Sequence, residues 1–160
     1  MGIKNQSVTQ GRTTLLDAVN VLLANIGEQP INSLETEQID ESKQAERTIL
    51  EFHKEGQTKG WSWNTEFQYP FQKDSITKEI TVPENILQFA LDPYLYAGRY
   101  QLRGQRIYDL QERRYIMEET VTEIKADVIW LLPWDDVPEA YNRWITIRAS
   151  RVFTARVLGS

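Results

Sequence analysis

The chain has 160 residues, 41% of them hydrophobic and 26% charged, the composition of a folded domain, which argues against intrinsic disorder. Eighteen Lys and Arg against 23 Asp and Glu leave a net charge of −5, too acidic for a general nucleic-acid coat, because phosphate contacts need clustered cations. Cys is absent and His53 is the only His, which excludes disulfides, thiolate nucleophiles, iron–sulfur clusters and a three-histidine metal site within one chain.

The start at Met1-Gly2 has no apolar h-region, and Gln6 stands where myristoylation needs Ser or Thr. No apolar run is long enough to span a bilayer, so a soluble protein of a cytosol-like compartment is expected. Residues 1–60 read as helical. Leu15, Leu16, Val19, Leu22, Leu23 and Ile26 lie on one helix face; Thr14 and Asp17 form a cap pair, Gly27 suits the C′ position, and Pro30 forbids continuation. A second helix is predicted from near Asp40 to near Gly60, with Ala45, Ile49, Phe52 and Gly56 as its stripe. Gly56 costs about 1 kcal/mol in a helix, so a close neighbour is expected there.

Residues 61–134 read as β. Trp61–Tyr69 alternates large aromatics with polar residues, and Pro70 is expected to stop it. Glu79–Val82 and Ile86–Ala90 are shorter candidates. Arg99–Arg103 and Arg106–Leu110 flank Gly104-Gln105, a pair suited to a type II′ hairpin, and Gln111–Arg114 turns the chain into Tyr115–Met117. Ile124–Leu132 is the clearest strand, with both faces covered. Short strands without an intervening helix predict an antiparallel sheet. The last element is a helix over Pro138–Leu158, with Asp136 as its expected cap. Tyr141, Trp144, Ile145, Ala149, Val152 and Phe153 form its main stripe, while Ala140, Ile147 and Leu158 form a second, which predicts cover on more than one side. The fold class is thus α+β: a helical bundle of 1–60 and 135–160 with an inserted antiparallel β domain of 61–134.

Chemistry is sparse. No Gly-rich phosphate loop, HExxH, GxSxG or EF-hand pattern occurs, and no cofactor or metal is expected. Asp135-Asp136 could in principle hold a divalent ion, but helix capping is the favoured reading. His53 reads as a half-buried structural residue. Arg99, Arg103, Arg106, Arg113 and Arg114 interleave with Tyr94, Tyr96, Tyr100, Tyr108 and Tyr115. Such interleaving serves single-stranded nucleic acid or a protein interface, and the net charge favours the interface. A nucleic-acid-binding module and a small metal-dependent enzyme remain as alternatives.

Three stretches, Leu15–Leu34, Gly60–Pro70 and Val128–Ser160, with Ile80–Leu87 and the Gly104–Asp109 hairpin, together resemble the tail tubular protein A family, the head-to-tail adaptors of short-tailed phages. The resemblance covers about residues 13 to 160. It implies a non-enzymatic virion protein that assembles in the host cytoplasm into a ring, typically of twelve copies, below the portal. It further implies contacts with the portal protein, the tail nozzle protein (tail tubular protein B) and the tail fibre protein, and a lumen through which DNA passes without specific binding. Family members usually continue for some tens of residues beyond the Gly-Ser at which this sequence stops. Twelve copies at −5 would carry about −60, and carboxylates facing the bore would repel DNA over about 8–10 Å in physiological salt. Trp144, Ile147, Arg148 and Arg151 are the candidate subunit or portal contacts, with Glu46, Glu51 or Glu55 of a neighbour, or of the same bundle, as partners for Arg148. Tyr94, Tyr96, Arg103, Gln105 and Arg113 are the candidate nozzle or fibre contacts.

Overall fold

The computed structural model describes residues 11–35 and 39–159; the first residues from Met1, and Ser160, lie outside them. The fold is α+β. Gln57–Leu131 forms one compact unit, and the chain on either side of it forms the other.

The flanking unit is helical. Helix α1, Leu15–Asn25, opens on a capping box in which Thr14 and Asp17 satisfy each other's backbone N–H. It closes in a Schellman arrangement: Gly27 N–H donates to Ala24 O, Glu28 N–H to Leu23 O, and Gly27 sits at φ +79°. Helix α2, Asp40–Gln57, buries Ala45, Ile49 and His53. Gly56 is buried as well: a Cβ there would run into the side chains of Tyr141, Ile145 and Trp144. A later 3₁₀ turn, Trp134–Asp136, leads toward the last helix of the unit. That helix, Glu139–Leu158, starts from Pro138 with no side-chain cap bond. The expected Asp136 cap is therefore not made, because Pro138 holds the N-cap position and Asp136 lies two residues before it, in the 3₁₀ turn. Thr13 tethers the helix start instead, donating from its N–H and hydroxyl to the Glu139 carboxylate at 2.6 and 2.7 Å. Tyr141, Ile145, Ala149 and Phe153 face the core with Val19, Leu22 and Ile49.

The Gln57–Leu131 unit contains two small antiparallel sheets. Strands β1 (Thr65–Gln72), β2 (Ile86–Leu91) and β5 (Glu123–Trp130) form one, in the order β1-β5-β2. Strands β3 (Tyr100–Arg103) and β4 (Arg106–Asp109) form a hairpin, Tyr100 opposite Asp109 and Arg103 opposite Arg106. Of the turn pair only Gly104 has positive φ, as a type II′ turn requires. Ile124, Ala126 and Val128 of the central strand point into a core with Phe71, Ile80, Ile107 and Met117, and Ile129 on its other face is also buried.

The strand expected at Trp61–Tyr69 begins only at Thr65. Asn64, almost fully buried, folds the preceding segment into a turn: its side chain accepts from Trp61 N–H at 2.7 Å and donates to Gln57 O and Trp130 O, each at 3.0 Å. Nor does Pro70 stop the strand. It pairs opposite Lys125 within β1, an edge strand, where a missing N–H is tolerated. A register shift between Glu66 and Tyr69, with Gln68 at φ +54°, bends that edge. Glu79–Val82 supplies only isolated bridges at Ile80 and Thr81, and Tyr115–Met117 adds no strand. A one-turn helix, α3 (Pro93–Tyr96), capped by Asp92, interrupts the expected run of strands; Glu139–Leu158 is accordingly α4.

Candidate assembly surfaces

Helix α4 carries apolar residues on two sides. Tyr141, Ile145, Ala149 and Phe153 are buried, and so are the polar Asn142, Thr146 and Ser150 beside them. Asn142 donates to Trp134 O at 3.0 Å, Thr146 Oγ1 to Asn142 O at 2.7 Å, and Ser150 bonds Asn25 of α1. At 100° per residue Ile147, Arg151 and Leu158 fall together on the opposite side of the cylinder. Ile147 is 55% and Leu158 58% exposed, and Arg151 is exposed between them. The cover expected for this second stripe is not supplied by the described residues of the same chain.

Trp144 and Arg148 occupy a different flank. The Arg148 guanidinium lies 4.7 Å from the Trp144 ring and 5.2 Å from the Phe52 ring, and 3.9 Å from Glu55 of its own chain. Arg156 likewise reaches Glu51 at 3.3 Å. The four residues expected at the subunit or portal contact thus divide between an outward strip, Ile147 and Arg151, and a flank facing α2, Trp144 and Arg148.

In the other unit the five nozzle or fibre candidates do not form one patch. Tyr94 on α3 is 94% exposed. Tyr96 is half-buried: its hydroxyl accepts from Lys125 N–H at 2.7 Å and its ring meets Tyr100 edge-on at 5.7 Å. Arg103 and Gln105 sit together at the hairpin tip, whereas Arg113, at φ +57°, lies beyond the far end of β4. The Arg103 guanidinium is stacked 3.8 Å from the centroid of Tyr108, and that of Arg106 3.7 Å from Tyr115; the two rings meet edge-on at 5.0 Å.

One group escaped the sequence reading. Asp109 is fully buried and accepts from Arg99 Nε at 3.1 Å, Arg99 Nη2 at 2.8 Å, and the N–H groups of Gln111 and Glu112 at 3.0 and 3.1 Å. Arg99 also pairs with Glu118 at 3.0 Å. The forked bond from Arg99 holds the Asp109 carboxyl below its ordinary range, and the two acids push the guanidinium pKa up. The one available signal was Asp109 just before a turn, a position where its oxygen can accept from N–H groups two and three residues on.

His53 is 4% exposed. Its Nε2–H donates to Leu132 O at 2.8 Å, and its ring lies against Trp134 and Tyr141 at 5.4 and 5.9 Å. Burial pushes its pKa down, which keeps the ring neutral, as suits packing. Among the described residues no group of three or more His, Asp or Glu could hold a metal ion, and no helix is long and apolar enough to cross a membrane. The chain matches the family model Tube, described as tail tubular protein, over residues 16–160. No curated protein matches it.

Proposed function

Since the chain belongs to the tail tubular protein family, a structural family of the phage tail, we propose that it is the head-to-tail adaptor of a short-tailed phage, a non-catalytic coupling. In this reading twelve copies form a ring between the portal and the tail nozzle, and DNA passes through the lumen without specific binding. The ring also helps to hold the tail fibres, and the protein assembles in the host cytoplasm before it enters the virion.

The observation that carries the reading is the outward strip of α4. Two large aliphatic side chains more than half exposed on a long helix, on the side away from its core, are what a subunit contact leaves bare in a single copy. Ile147 and Arg151 then meet the next subunit or the portal, and Trp144 with Arg148 forms the flank of that contact. Arg and Trp suit this place because both are enriched where interfaces concentrate their binding energy. The exposed Tyr94, the hairpin tip at Arg103 and Gln105, and Arg113 serve the nozzle or fibre side, with Tyr96 as the support beneath Tyr94.

Electron microscopy of the protein co-expressed with its portal tests the proposal. A twelve-fold collar beneath the portal is expected. Particles in which the portal stays bare, or a collar of another symmetry, would overturn it.

A further inference from the structure

The hairpin tip carries a charge arrangement that the described residues leave incomplete. Arg103 and Arg106 are directly opposite each other in the last pair of the β3–β4 ladder, where like charges are unfavourable. Both are nevertheless pinned by stacking on Tyr108 and Tyr115. Arg106 has a carboxylate, Glu79, at 3.2 Å. Arg103 has none within 4.0 Å among the described residues: its Nε donates to Gln101 Oε1 at 3.0 Å, and no acceptor among them takes the hydrogens of its two Nη atoms. The Tyr108 ring occupies the face of the guanidinium and leaves its in-plane edge to solvent, which is the edge that binds a carboxylate bidentately. Beside it runs an open groove of about 700 Å³, bordered by Thr81, Val82, Pro83 and the Gly104-Gln105 turn. That is room for several residues of extended chain.

We propose that this groove docks an acidic protein segment of a tail partner, with Arg103 forking a carboxylate. The proposal rests on the adaptor reading above and deepens it by giving the partner's chemistry. Nucleic acid fits less well. One face of each of the Tyr108 and Tyr115 rings, on which bases would stack, is already taken by a guanidinium group.

Fluorescence anisotropy with labelled hexaglutamate and labelled octathymidylate at low ionic strength tests it on the full chain. Hexaglutamate should bind, and Arg103→Gln should weaken it about fivefold or more, the loss of one charge-assisted fork. Arg103→Lys, which keeps the charge without the fork, should fall between, and Lys125→Gln, which removes one positive charge elsewhere, should change nothing. No binding of hexaglutamate, an equal loss in Lys125→Gln, or tighter binding of octathymidylate with the same dependence on Arg103 would each overturn the site. Thermal melts confirm that the variants fold. A twelve-fold collar that still assembles with the portal would then leave the adaptor reading standing without this site, while failure of the wild type to form any collar would sink the adaptor reading itself.

Discussion

Asp109 and His53, both buried, respond to acid over different pH ranges and for different reasons. Asp109 is ionised in the fold and held so by four donors, so its folded pKa lies below its unfolded one. The stability it contributes is complete above about pH 4 and lost as pH falls through the folded value. Asp109→Asn keeps the shape but removes the charge from under Arg99. It should cost the Gln57–Leu131 unit about 2–3 kcal/mol, held to that level because Arg99 is partly solvated and retains Glu118. The shift of the urea midpoint followed by Trp61, Trp63 and Trp130 fluorescence measures this. His53 is neutral in the fold, with its folded pKa lowered by burial under Trp134 and Tyr141. The unfolded chain therefore takes up a proton first. Stability should be flat above about pH 6.5 and decline below it, as the folded ring resists the charge. His53→Phe should abolish that slope while lowering stability throughout through loss of the Leu132 bond; an unchanged slope would place the acid response elsewhere.

Elements whose ends and faces are specified locally were legible in the sequence. Thr14 with Asp17 and Gly27 bounded α1 because both caps are formed by neighbours in the chain, and the alternation of Ile124, Ala126 and Val128 marked β5 because one face packs on a core. Where long-range bonds decide, periodicity misled. Trp61-Ser62-Trp63 has strand alternation, but the buried Asn64, tied to Gln57 and Trp130, makes it a turn. Pro70 reads as a stop until the strand is seen to lie at a sheet edge. The Arg–Tyr cluster of the hairpin was visible as composition, whereas its pairing was not. Which cation has an acid depends on Glu79 reaching Arg106 from 27 residues away, and on Arg99 meeting Asp109 across the hairpin. Gly56 was read correctly as a close approach, and there the two contributions oppose. Alanine would gain about 1 kcal/mol of helix propensity, but its Cβ would collide with Tyr141 and crowd Ile145 and Trp144. The Tyr141 hydroxyl donates to His53 O at 2.7 Å, so it cannot yield without losing that bond. Overpacking should win, with Gly56→Ala destabilising the helical unit by about 1–3 kcal/mol and lowering its melting temperature.

At the scale of the whole molecule, the adaptor reading has folding and assembly draw on opposite faces of α4, which would make them separable by mutation. Phe153 is 1% exposed, and Phe153→Ala should cost about 3–5 kcal/mol, because the surrounding side chains fill the cavity only in part. Ile147 is 55% exposed, and in a single copy Ile147→Asp should change stability by no more than about 0.5 kcal/mol, since neither residue there is desolvated. In a ring the same aspartate would be taken out of water at a subunit contact, a cost that Arg151 one turn on offsets only in part and that is repeated at every joint of the closed circle. The wild-type melting curve should therefore be preserved in Ile147→Asp while the collar with portal is lost, and Leu158→Asp should behave alike if the strip is buried along its length. Sedimentation velocity on the co-expressed complex, set beside thermal unfolding of the isolated variant, reads both quantities. A collar that survives both substitutions would show that α4 turns this strip to solvent in the particle, and the contact would have to be sought on the outer face of α2 around Arg47 and Leu50, which are also exposed.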